Sequence, residues 1–385
     1  MAHLVSQLAE AIAALGAVAG TGYYCLSTWS ALKYLKRFNH PQLFHPPVSI
    51  LKPLKGTDPQ MYESLRSHCV QEYPEYEIIF GVSEPDDASI AIVERLRKEF
   101  PALSVRLLVC SDILGTNVKV SNLTQMLRVA QHEYLVVNDS DIRVEPDYLQ
   151  RVIPPLADSQ VGLVTALYRG IPADSFGSRL ESLGISTDFS PGVLAARQLE
   201  GGIHFGLGST LGFRRPDLEA IGGFEAFVDY LADDYEIGRR IADRGLKVEL
   251  SEVVVETFIP FYALRQFVDH QLRWDRTVRD SRRWGYFGLV VTFGLPWAVL
   301  ALILSHGTVW AWELLAVVAA LRLAVALVIG RSVLQDRNVL ALLPLLPLRD
   351  LVALLVWMGS LVGHKVVWRG DSFRLKNGRL VRIKS

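Results

Sequence analysis

Four apolar residues, Tyr134-Leu-Val-Val137, run straight into Asn138-Asp-Ser-Asp141. A short, β-branched-rich run of this kind reads as a strand covered on both faces, the type found in parallel sheets. The polar residues break it at once, so two carboxylates stand just past the strand's carboxyl end. In open α/β sheets ligands bind at that rim, and two carboxylates one residue apart, joined by a diphosphate, suit Mg2+ or Mn2+. The same residues also fit an Asx-type turn with solvated acids, so what surrounds the loop decides between the two.

Half of the 385 residues are hydrophobic and the formal net charge is zero. The apolar excess collects in about the first thirty and the last hundred residues, which leaves a middle of ordinary globular composition. No basic cluster marks that middle, which argues against a nucleic-acid footprint. The three cysteines, Cys25, Cys69 and Cys110, show neither close pairing nor metal-ligand spacing and read as buried thiols.

Ala9 to Leu32 is apolar and small-residue-rich, uncharged apart from Glu10, and Lys33, Lys36 and Arg37 follow at once. A cleaved signal peptide carries its positive charge before the apolar core. Here the charge comes after it, so residues 1–33 are expected to be a retained membrane anchor with its N-terminus outside.

From Val48 the chain alternates apolar strands with helix-like segments. Strands are expected at Val48 to Leu51, Tyr76 to Val82, Ser104 to Val109 and Tyr134 to Val137, with helices from Asp58 to Val70, Ala88 to Phe100 and Val120 to Gln131. Such alternation gives a mostly parallel sheet. A second acidic loop, Ser83 to Asp87, follows the second strand, and both acid clusters are expected on one rim. Beyond the strand Val161 to Leu167, the stretch Gly201 to Thr210 carries glycines that allow close backbone approach to a ligand. It lacks dinucleotide or phosphate-loop spacing and reads as a substrate-facing loop. Asp233 and Asp234 then precede a helix that Gly245 ends; one acid suffices for an N-cap, so the second has another reason or is incidental.

Phe267, His270 and Trp274 recur at helical spacing, so His270, Arg273 and Trp274 share a helix face just before apolar sequence. An interfacial helix anchored by Trp and Arg fits the same pattern. Tyr286 to Ser305 and Val309 to Gly330 are long enough to span a membrane, and Val339 to Val367 is interrupted by Pro344, Pro347, Arg349 and Asp350 as a broken or re-entrant pair would be. The basic tail, with Lys365, Arg369, Arg374, Lys376, Arg379, Arg382 and Lys384, favours a cytoplasmic C-terminus. The domain layout expected is an anchor at 1–33, a cytosolic domain at 46–262, interfacial helices at 263–284, transmembrane or re-entrant helices at 285–368 and a basic cytosolic tail at 369–385.

The spaced acids Asp87, Asp139 and Asp234, followed by Arg273-Trp274, resemble the D, D, D, (Q/R)xxRW signature of membrane-bound family 2-type glycosyltransferases. The chain is more closely similar to the ceramide glucosyltransferase family (glycosyltransferase family 21) and its bacterial relatives, including the hopanoid-biosynthesis glycosyltransferases. The matching stretches are Leu51 to Gly56, Gly115 to Asn122, Asp139 to Val144 and Ala242 to Gly245. The resemblance implies an α/β fold with a GT-A-like, mostly parallel sheet domain, Rossmann-like in binding a nucleotide sugar, between N-terminal and C-terminal transmembrane helices. It implies donor contacts at Lys52, Asp87, Lys119, Asp139 and Arg273, with Asp87 near the uridine. It also implies Mg2+ or Mn2+ on Asp139 and Asp141, and a catalytic set of Asp234 as base with Arg273, Trp274 and His270. Two positions depart from the family pattern: His270 stands where Gln or Arg is usual, and the acidic Asp141 resembles the wider superfamily more than the ceramide enzymes.

What the resemblance implies is a single sugar, glucose or N-acetylglucosamine, passed from a UDP-sugar to the hydroxyl of a ceramide-like or hopanoid lipid at the cytoplasmic face of a bacterial inner membrane. Displacing a nucleoside diphosphate builds negative charge on the leaving phosphates and needs a base for the acceptor proton. Asp139, Asp141 and Arg273 answer the first need and Asp234 the second. Asp234 is expected to stay ionised because the helix dipole favours the anion. One base without a second nucleophilic carboxylate implies inversion. A processive polysaccharide synthase needs more spanning helices than this chain offers. A non-catalytic scaffold or transporter that binds nucleotide sugars would need more ionisable groups in its apolar segments.

Overall fold

The structure is a computed structural model that describes residues 1–37, 43–368 and 371–382. The chain divides into two compact units: one gathers the described residues of 38–171, 200–260 and 368–385, the other Met1–Arg37, Pro172–Leu199 and Phe261–Val367.

In the first unit, strand β1 (Val48–Pro53) has a parallel neighbour on each side. β2 (Tyr76–Val82) lies on one side with β3 (Ser104–Val109) beyond it, and β4 (Tyr134–Val137) lies on the other. The register Tyr76↔Val48↔Tyr134 aligns the three central strands, so the loops after β1, β2 and β4 leave from one edge. β2, β3 and β4 have the bounds expected from the sequence, because each is a β-branched or leucine-rich run cut off by polar residues. The sheet then continues through β5 (Ile142–Arg143), β6 (Val161–Pro172), β7 (Leu211–Arg214) and β8 (Lys247–Ile259), in the order β3-β2-β1-β4-β7-β6-β8-β5. β7 is antiparallel to both β4 and β6, and β5 is antiparallel to β8. The α/β class with a parallel core is the one expected, and the antiparallel extension brings residues 200–260 alongside β4. The helices Met61–Cys69, Ile90–Glu99 and Val118–Val129 link the parallel strands and bury one face each. Asn117 caps the last of them, its side chain accepting from the Val120 amide at 3.2 Å.

The second unit is built on the helix Ala2–Leu35. Among the described residues, three helices are long and apolar enough to cross a membrane: His3–Leu35, Val309–Val333 and Val339–Ser360. A fourth candidate, Arg283–Thr292 with Gly294–Leu304, is bent by 53°. The break therefore falls at Phe293 and not, as expected, within Val339 to Val367. Pro296 accounts for the difference, since its ring clashes with the carbonyl four residues back. Pro344 and Pro347 each stand in the first turn of a helical segment, where the missing N–H costs little. Pro172–Leu199, inside the range expected for the cytosolic domain, packs here instead: Leu183 is buried with Ala326, Val339, Leu342 and Leu346. A Cβ on Gly20 would lie 2.3 Å from Gly294 Cα, a close approach of helix backbones that only small residues permit. Cys69 and Cys110 are buried free thiols, whereas Cys25 is exposed, because a helix of this kind turns apolar residues outward.

Candidate active site

The edge where the parallel strands end collects the acids. Asp139 follows β4 by two residues, and its Oδ1 lies 2.8 Å from Lys119 Nζ. Lys119, the second residue of the helix capped by Asn117, also lies 3.2 Å from Asp233 Oδ2. Asn117 completes the link by donating from Nδ2 to Tyr230 O at 2.7 Å and to Asp233 Oδ1 at 3.3 Å. Burial by itself would lower the Lys119 pKa, but Asp139, Asp233 and Asp234 outweigh it and raise it, so the ammonium is a permanent cation. The Asp139 side chain is 41% exposed against 6% for Asp233, so Asp139 is the one of the two that a ligand reaches.

Asp234 is the second residue of the helix Asp233–Asp243 and faces the glycine-rich stretch. Its Oδ2 accepts the Gly208 amide at 2.7 Å and its Oδ1 the Tyr235 amide at 2.8 Å. A Cβ on Gly208 would stand 2.9 Å from Asp139 Oδ2 and 3.2 Å from Asp234 Oδ2, so the glycine is what lets both carboxylates approach this backbone. Burial, then the Asp233 charge, push the Asp234 carboxyl up to about 6 against the pull of Lys119. Asp234 remains ionised at neutral pH, but burial opposes the helix dipole that favours the anion and raises the pKa.

Asp141 accepts from Thr257 Oγ1 at 2.5 Å across the β5/β8 pair. Burial, with the Asp139 charge adding to it, pushes its carboxyl up to about 6. Asp87 sits after β2, where it accepts the amides of Gly56 and Ser89 and the Ser89 hydroxyl. Burial pulls its pKa upward, but these hydrogen bonds prevail and hold it below the usual carboxylate range. It thereby ties the loop after β2 to the loop after β1.

Lys52 corrects one expectation from the resemblance. It is fully buried in β1, donating to the Asp139 carbonyl at 3.0 Å with His68 Nε2 at 3.4 Å, so it supports the Asp139 loop from beneath and has no surface for a donor. Burial lowers its pKa to about 7, although Asp141 and Asp139 raise it.

His270, Arg273 and Trp274 lie in the other unit, on the helix Leu264–Ser281. His270 stacks on Tyr262 at 5.3 Å, its Nδ1 lies 3.5 Å from Glu181 Oε2, and Trp274 meets Phe189 edge-on at 5.8 Å. The same unit holds a buried charge network that sequence reasoning missed. Arg322 donates from Nε to Asp350 Oδ2 at 2.9 Å and from Nη2 to Asp188 Oδ1 at 2.6 Å, and Arg349 Nη2 reaches Asp188 Oδ2 at 3.1 Å. The signal available was the charge itself, an arginine and an aspartate inside otherwise apolar stretches.

Among the described residues, no group of three or more His, Cys, Asp or Glu is arranged to hold a metal ion. Mg2+ asks for less, one or two carboxylates completed by substrate phosphates and water, and the all-oxygen pair Asp139 and Asp141 meets that requirement.

The glycosyl transferase family 21 model matches residues 12–381. Ceramide glucosyltransferase 3 of Caenorhabditis elegans is 28% identical over 230 residues, 60% of this chain and 50% of that protein. Ceramide glucosyltransferase 1 of the same organism is 28% identical over 207 residues, 54% and 44% respectively. The ceramide glucosyltransferase of Komagataella phaffii is 34% identical over 113 residues, 28% and 22%. The chain thus matches about half the length, or less, of these curated relatives. The solved mannosyltransferase PcManGT from Pyrobaculum calidifontis, in complex with GDP-Man and Mn2+, is alike in fold, with a TM-score of 0.59 at 23% identity over 91% of this chain and 99% of that one. A GT-A-like sheet unit, apolar helices and a family match over nearly the whole sequence lead to one statement: the chain belongs to glycosyl transferase family 21.

Proposed function

We propose that the protein is a membrane-bound inverting glycosyltransferase that moves one sugar, glucose or N-acetylglucosamine, from a UDP-sugar to the hydroxyl of a ceramide-like or hopanoid lipid. The observation that carries this reading is the meeting of Asp139, Asp233 and Asp234 around Lys119 and Gly208, in a chain of family 21. Asp234 takes the acceptor's proton while the acceptor oxygen bonds to the anomeric carbon. The bond from that carbon to the diphosphate breaks, and UDP leaves with the electron pair. Attack opposite the leaving group turns an α-linked donor into a β-linked product. A base with a pKa near 6 is ionised at neutral pH yet basic enough to accept the proton.

Asp139 and Asp141 are the residues that would hold Mg2+ or Mn2+, and the ion would supply positive charge to the departing diphosphate. Lys119 holds Asp139 in place, and Lys52 holds the loop beneath it. Asp87 orders the loop we assign to the uridine, and we assign His270, Arg273 and Trp274 the catalytic roles that the family resemblance implies. We place the sheet unit at the cytoplasmic face of a bacterial inner membrane, with the apolar helices in the bilayer.

The test is direct. Full-length protein in lipid vesicles is given UDP-glucose, UDP-N-acetylglucosamine or GDP-mannose, with and without ceramide or a hopanoid alcohol, and the products are read by mass spectrometry. Release of UDP that depends on the lipid, with one sugar added, is the expected result. A ladder of products would point to a processive synthase, and binding without turnover would leave a nucleotide-sugar binder.

A further inference from the structure

The basic residues at 371–382, expected to belong to a tail, are folded. Asp371–Lys376 and Arg379–Arg382 pair antiparallel, with Phe373↔Arg382 and Lys376↔Arg379 as the outer and inner partners. Asn377 and Gly378, at φ +52° and +77°, close them in a two-residue turn of the kind that matches strand twist. Phe373, Leu375 and Leu380 are buried, while Arg374, Lys376, Arg379 and Arg382 face outward. Arg369 and Lys384 lie outside the described residues.

The hairpin docks on one short segment of the sheet unit. The Leu380 amide donates to Asp229 O at 2.8 Å, the Leu231 amide donates to Gly378 O at 3.2 Å, and Tyr230 forms an antiparallel bridge with Arg379. The Arg379 guanidinium sits 5.1 Å from the Tyr230 ring centre. Residues 229–231 therefore pair along the free side of Arg379–Arg382, and Asp233 and Asp234 follow after Ala232.

The same segment is bonded on its other side to the start of the Lys119 helix. Asp229 Oδ1 accepts both the amide and the hydroxyl of Thr116 at 3.0 Å. The Asn117 amide donates to Val228 O at 2.6 Å, and its side chain donates to Tyr230 O. Thr116 Oγ1 also lies 3.3 Å from Leu380 O, so one hydroxyl joins all three pieces.

From this we infer that the C-terminal hairpin is a positioning element for the reaction. By pairing with residues 229–231 it sets the spacing between Lys119 and the Asp233-Asp234 pair. Without it, the amide of Leu231 and the carbonyl of Asp229 lose their partners, and the loop leading into the catalytic helix is released. A displacement of about 1 Å in a catalytic constellation costs on the order of a hundredfold in rate. The rate effect rests on the proposed transfer reaction; the ordering of the two loops does not.

Full-length Leu380→Pro, Thr116→Val and Thr116→Ser test it, with hydrogen exchange and transfer kinetics measured on each. Proline removes the amide that bonds Asp229, and valine removes the joining hydroxyl at constant shape. The expected result for both is faster exchange in residues 114–119 and 228–236 with β1 to β4 unchanged, and kcat reduced about tenfold or more. Thr116→Ser restores both readouts. Unchanged exchange in those two segments overturns the inference, and so does a rise spread evenly over β1 to β4 in Thr116→Val, the mark of general destabilisation. If the wild type transfers no sugar the functional reading falls, and the exchange pattern still decides the hairpin.

Discussion

The Gly208 amide donates to Asp234 Oδ2 at 2.7 Å, which fixes the carboxylate assigned as base against a backbone that has no side chain of its own. The other oxygen is tied to the Tyr235 amide, so both carboxylate orientations are set before any substrate arrives. Asp234→Asn keeps this shape and removes the proton acceptor. Transfer is expected to fall by about a thousandfold or more, with UDP-sugar affinity within a few-fold, as read by turnover and calorimetry.

The pH dependence follows from the same carboxyl. Only ionised Asp234 accepts a proton, and its pKa is pushed up to about 6. The rate is expected to be full near pH 7.5 and to fall roughly tenfold for each unit of pH below the bound-state pKa. A profile flat down to about pH 4.5, where an ordinary carboxylate begins to titrate, would mean that Asp234 is not the base.

Gly208→Ala isolates the steric argument. The new methyl would lie 2.9 Å from Asp139 Oδ2 and 3.2 Å from Asp234 Oδ2, so both carboxylates must shift. Loss of about tenfold or more in kcat, with little change in melting temperature, is expected because the residue is at the site edge and not in the core.

For Asp139→Ala the expected outcome is loss of metal-dependent UDP binding together with activity, since the exposed oxygen ligand is gone. Calorimetric titration with UDP, with and without a chelator, measures it. Wild-type UDP affinity that ignores the chelator would count against the metal assignment.

Arg322→Met tests the charge network in the apolar unit. Arg322 is 3% exposed and bonds Asp350, Asp188 and the Thr187 carbonyl, so its loss takes the bonded guanidinium from the buried Asp350, while Asp188 keeps Arg349. A destabilisation of about 3–5 kcal/mol is expected, partly recovered in the double variant Arg322→Met with Asp350→Leu. Melting in detergent reads both.

Much of the fold was legible because its signals are local. Three strand boundaries, the helices between them and the acidic loops followed from β-branched runs ended by polar residues, and α/β alternation implied that the acids share an edge. The apolar segments were equally plain from length and hydropathy alone. What no local pattern encodes is which distant side chains meet. Lys119 and Asp233 are far apart in sequence and 3.2 Å apart in space, and that contact depends on how β7 brings residues 200–260 alongside β4. Lys52 looked available for a ligand, but His68 on the packed helix and the Asp139 loop cover it on the face of the sheet. The helix dipole that favours ionised Asp234 was legible, whereas the burial that raises its pKa comes from packing. The basic tail became a hairpin because residues 229–231 offer an edge to pair with, and that edge exists only once the sheet has formed.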